Sequence, residues 1–98
     1  MIPGSVSKVV EGSVVASAAT ITPRSGELFR VTGTTQINTI NPPLGIAQNQ
    51  VIYLVPTDGA VVLGTTGNIL VGLTAAQNRV LMLFWIKSLQ KWALENGV

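Results

Sequence analysis

The longest apolar run in this chain, "VLMLFWI" at residues 80–86, sits between Arg79 and Lys87, and every other run is shorter. "VIYLV" (51–55) stops at Pro56, "AVVL" (60–63) at Gly64 and "ILV" (69–71) at Gly72. Runs this short, cut off by turn formers, fit buried strands. They fall well below the roughly 20 apolar residues that a membrane-spanning helix takes. The N-terminus, "MIPGSVSKVV", lacks the charged start and long apolar centre of a secretory signal. The expectation is a β protein that does not cross a membrane.

Several of these runs are apolar at successive positions. Val51, Tyr53 and Val55 alternate with Ile52 and Leu54, so both faces of one strand are apolar. The chain is 47% hydrophobic and 10% charged, against about 25% charged in an average soluble domain. At 98 residues it has room for a single modest core, so its own fold leaves apolar surface over. Other subunits are the expected cover.

Reactive groups are scarce. The chain has no Cys and no His, which removes thiol chemistry, the usual general base and the commonest metal ligand. Its acids are Glu11, Glu27, Asp58 and Glu95, spread along the chain. Ser88 and Lys91 have the Ser-x-x-Lys spacing of one family of acyl-transfer enzymes. Neither of the companion motifs accompanies them, and they fall in a turn. No catalytic residue, cofactor or metal ligand is assigned, and the chain reads as a non-enzyme. The net charge of +2 comes without a dense basic cluster or interleaved aromatics, so no direct nucleic-acid contact is expected.

Along the chain, residues 1–18 read as an extended arm with a short strand at "KVVEGSVV", and residues 19–98 as the β domain. Phe29 and Val31 share a strand face, and Gly33 marks a bulge or bend. Thr35, Ile37 and Thr39 then continue on one side until "NPP". "QVIYLV" is a strand, "PTDGA" a hairpin turn, "VVLG" a strand, and "TTGN" a turn into "ILVGL". Residues 75–95 carry two readings. Thr74 and Gln77 fit a capping box, and Leu81, Trp85, Leu89 and Trp92 would line one helix face that stops at Gly97. The alternative is a strand hairpin, because a helix over 80–86 would be apolar all round.

The order of motifs resembles a small β-rich structural module of tailed-bacteriophage virion proteins, of head decoration, capsid fibre and tail fibre type. "FRVTGTTQINTINPPLG" is similar to its aromatic-x-Val-Thr-Gly-Thr-Thr-x-Ile-x-Thr-Ile stretch with Pro and Gly after it. "QVIYLV", "TGNILV" and "VLMLFWIKSLQKW" follow in the module's order. The match spans about residues 20–95, and the Val-Thr-Gly-Thr-Thr stretch is its most specific part. The last turn departs from it, with "WIKSLQK" where the module has Tyr-Asp-Gly. The resemblance favours the hairpin for 75–95 and implies a homotrimeric structural role.

Taken together, the expected fold is all-β: a small antiparallel sandwich or barrel-like module with an extended N-terminal arm, assembled as a trimer. Phe29, Val31, Ile37, Ile52, Leu54, Trp85 and Trp92 are candidates for core or oligomer interface. Val6, Lys8, Val9 and Val10 are candidates for a capsid-contacting arm. The resemblance implies a decoration (cement) protein on the capsid surface, made in the host cytoplasm and bound to the major capsid protein or another virion protein. A small chain starting at Met1 fits that role better than a module cut from a fibre. A short fibre or tail component with carbohydrate binding is the alternative. A hydrolase with a site formed by trimerisation is a third, opposed by the absent His and Cys.

Overall fold

The computed structural model describes residues 9–94 and contains only strands, bends and turns there. In chain order the strands are β1 (Val15–Ala16), β2 (Thr20–Ile21), β3 (Leu28–Thr32), β4 (Thr39–Ile40) and β5 (Gln50–Pro56). They continue with β6 (Val61–Leu63), β7 (Leu73–Ala75), β8 (Leu81–Ile86) and β9 (Lys91–Leu94). One five-stranded sheet has the order β1-β3-β5-β8-β9, and two small sheets pair β2 with β4 and β6 with β7. The inner face of the large sheet supplies Val15, Phe29, Val31, Ile52, Leu54, Leu81, Leu83, Trp85 and Trp92 to the core. Ile21, Ile37, Ile40, Val61, Leu63, Ile69 and Ala75 close it from the other side. The result is two layers of strand around one core.

The all-β expectation holds, but the sheets are mixed where antiparallel pairing was expected. β1 and β3, β3 and β5, and β2 and β4 run parallel. Only β5–β8, β6–β7 and β8–β9 are antiparallel. Nor does "PTDGA", read as a hairpin turn, join antiparallel neighbours, because its bonds go to β3. Thr57 N–H donates to Val31 O at 2.9 Å, and the Asp58 carboxylate accepts the Gly33 N–H at 2.8 Å. These bonds tie the segment to the end of β3, so the chain leaves the sheet at a corner and β6 joins the second layer. Gly33, at φ 74°, turns the chain out of β3 at that same corner.

The helix reading of residues 75–95 gives way to the hairpin. β8 pairs with β9 in the register Trp85↔Trp92 and Ile86↔Lys91, joined by a turn over residues 87–90 in which Gln90 takes φ 53°. Thr74 lies in β7, and Gln77 donates its side-chain amide to Thr57 O at 2.9 Å. Neither caps a helix. Trp85 and Trp92 meet edge to face, with centroids 5.2 Å apart at 60°. Each indole N–H reaches a backbone carbonyl, Trp85 that of Ile46 at 3.0 Å and Trp92 that of Ile40 at 2.9 Å.

Residues 9–16, read within the arm, run along β3 of the same chain. Gly12 N–H donates to Leu28 O, Leu28 N–H to Val10 O and Ser17 N–H to Thr32 O. Gly12 and Gly26 sit where two backbones touch: a Cβ on Gly26 would collide with Gly12 N and Val10 O. Val6 and Lys8 lie outside the described residues.

Candidate functional site

All seven residues singled out as core or interface are core in the single chain. Phe29, Val31, Ile37, Leu54 and Trp92 are wholly inaccessible, with Ile52 and Trp85 at 1% and 3% exposure. They shape the site from beneath, and of the seven only Trp85 also lines a surface groove. Val9 and Val10 are about half exposed.

The surface with interaction character is the other face of the large sheet. Burial alternates residue by residue along β3, β5 and β8. The outward set is Leu28, Arg30 and Thr32 on β3, Val51, Tyr53 and Val55 on β5, and Met82, Phe84 and Ile86 on β8, with Lys91 and Ala93 on β9. The register sets Leu28, Tyr53 and Met82 in one cross-strand row and Val51, Phe84 and Ala93 in the next. Apart from Arg30, Thr32 and Lys91 this face is aliphatic or aromatic. Arg30 is paired with Glu11 at 3.0 Å. The strands of the second layer contribute to the core on the opposite side, so they leave this face uncovered.

One end of the same sheet is also apolar. The loop between β4 and β5 exposes Leu44 (61%) and Ile46 (54%), and the β8–β9 turn exposes Leu89 (54%). Lys87 N–H donates to the Asn49 side chain at 3.0 Å, bringing that turn beside the loop. Between them lies an open groove of about 330 Å³ lined by Asn49, Gln50, Val51, Phe84, Trp85 and Ile86.

The loop is held from below. Gln50, 9% exposed, accepts the Leu44 N–H at 3.0 Å and donates to Gly45 O at 2.8 Å and Gln48 O at 3.2 Å. Trp85 holds Ile46 O. Asn68, read as a plain turn residue, brackets the backbone of Ile40 just before the loop, accepting its N–H at 2.9 Å and donating to its carbonyl at 2.8 Å. Such satisfied polar side chains, Gln50 and Trp85 buried and Asn68 half-buried, order the backbone they bind. The sequence did signal the two-faced strands. It did not signal the anchors, because a Gln at a strand start and an Asn after a Gly read as ordinary turn chemistry.

The described acids are spent on structure. Glu11 pairs with Arg30, Glu27 accepts the Val10 N–H at 2.8 Å and Asp58 the Gly33 N–H. Among the described residues no cluster of three His, Cys, Asp or Glu is placed to hold a metal. No helix there is long and apolar enough to cross a membrane.

No family model, curated protein or solved structure matches the chain.

Proposed function

We propose that this chain is a non-catalytic structural subunit of a tailed-phage virion. In this reading it is a homotrimeric decoration protein that sits on the capsid surface, binds the major capsid protein and stabilises the head. One observation carries it: the outward face of the large sheet is apolar and half-exposed along β5 and β8, with Leu28 of β3 and Ala93 of β9 continuing it on either side. Monomeric proteins seldom leave so continuous an apolar surface in water. Copies meeting through it gain about 25 cal/mol for each Å² removed from water. The motif order from Phe29 to Trp92 supplies the virion context, and the acids engaged in backbone and ion-pair contacts are in keeping with a role that needs no chemistry.

A short fibre or tail component is the second reading. Thr34, Thr35 and Gln36 stand exposed after Gly33, and such a row of hydroxyl and amide groups suits a carbohydrate.

The test is peptide mass spectrometry on purified virions of the source phage, after heads and tails have been separated. Recovery with heads supports the decoration role, and recovery with tails supports the fibre reading. Absence from the particle overturns both.

A further inference from the structure

We infer that the Leu44–Gly45–Ile46 loop tip of one copy inserts into the Val51–Phe84–Ile86 groove of a neighbouring copy. This rests on the self-association proposed above and names the contact that makes it.

The tip is exposed and apolar, yet it is not loose. Gln50 binds the backbone on both sides of Gly45, Trp85 binds Ile46 O, and Gly45 N–H closes a turn onto Pro42 O at 3.0 Å. Gly45 takes φ 88°, which lets the chain reverse at the apex. Two aliphatic side chains held out in water by a buried polar scaffold lose little entropy on docking, which is the advantage of a preorganised contact.

The receptor lies on the same molecule. Gln50 and Trp85, which hold the tip, also line the groove, so knob and hole are neighbours on one chain. Ile46 and Leu44 remain exposed beside that groove instead of filling it. A chain carrying both halves of a contact side by side can pair reciprocally about a two-fold axis, each tip in the other's groove, or associate head to tail, and a head-to-tail contact closes into a ring when the rotation permits. A three-fold ring is one such closure.

A small-molecule occupant fits less well. At about 330 Å³ the groove is at the bottom of the roughly 300–1,000 Å³ range of ligand sites. Most of its polar side-chain atoms are also engaged, the Gln50 amide by the loop backbone and Asn49 Oδ1 by Lys87 N–H. They leave little to orient a polar ligand.

Area argues for a copy as well. Strands about 4.8 Å apart with about 3.3 Å per residue give the sheet face a footprint of about 400 Å². A stable contact takes about 800 Å² from each partner. The tip and Leu89 lie beyond the face at its β5–β8 end, where the groove is, and extend it toward that size.

The experiment is light-scattering mass across a dilution series for the wild type, Leu44→Asp/Ile46→Asp and Phe84→Ser, with Val71→Asp as a control elsewhere on the surface. The wild type and the control are expected to assemble. The tip variant alters exposed side chains only, so it folds, and its dissociation concentration rises on the order of a hundredfold. Phe84→Ser weakens assembly in the same way, and mixing the two variants restores a mixed complex through the one intact knob and groove. A tip variant that assembles like the wild type overturns the contact and leaves self-association standing. A monomeric wild type overturns both. Neither result bears on whether the chain is found in virions, which the particle analysis reads separately.

Discussion

β5 presents two surfaces made of similar residues, and they have different fates. Ile52 and Leu54 point inward and are 1% and 0% exposed, while Val51, Tyr53 and Val55 point outward and stay half-buried. β8 repeats the contrast, with Leu83 inside and Met82, Phe84 and Ile86 outside. Strand propensity is the same on both sides. Parity decides which residues stabilise the single chain and which are left for a partner.

The largest effect that would sharpen this contrast is on the inner side. Trp92→Ala removes a fully buried ring and the bond to Ile40 O, and is expected to cost about 3–5 kcal/mol of stability in chemical denaturation. A loss under about 1 kcal/mol would mean that the inner face matters no more than the outer. Asn68→Ala comes next. It orphans the Ile40 N–H, for an expected loss of about 1–3 kcal/mol, read as a lower melting temperature and faster amide exchange at Ile40.

Tyr53→Thr keeps a good strand former on the outward face, so monomer stability should change by about 1 kcal/mol or less. Its dissociation concentration should rise all the same. A variant that unfolds instead would break the division between the two faces. Smallest is Glu11→Gln, which discharges an ion pair whose side chains are 54% and 56% exposed. It should cost about 0–1 kcal/mol, measured by urea denaturation.

Much of the inner and outer pattern was legible before any coordinates. β5, β6 and β8 fall on the apolar runs, whereas the run at 69–71 forms only a bridge at Ile69 and a bend; the two-faced character of β5 and β8 anticipated a surface left over after folding. Parallel pairing was not legible. β1, β2 and β4 are two residues long, too short for periodicity to mark them, and their partners are set by tertiary context. The Asp58–Gly59 corner misled for a definite reason. Its residues suit a tight hairpin, but the Asp58 carboxylate is spent on Gly33 N–H and the chain turns into the other layer. Ile37 and Ile40, of opposite parity, both reach the core because the chain bends between them, with Ile37 bridging to Leu63 and Ile40 pairing with Ile21. The loop tip escaped notice because Leu44 and Ile46 are isolated aliphatics among Pro, Gly and Gln. Only the folded chain gathers them beside Phe84 and Ile86.

The β9 margin of the large sheet has a consequence of its own. Trp92 N–H donates to Asn68 O at 2.8 Å and its carbonyl accepts Leu70 N–H at 2.9 Å, with Ile69 bridged alongside. An open strand margin is a template on which further chains add without limit and grow into fibrils. At Trp92 that template is already taken by residues 68–70. Copies that approach Trp92 from this side find its backbone groups already taken, so the apolar hairpin is shielded at its centre from strand-by-strand growth.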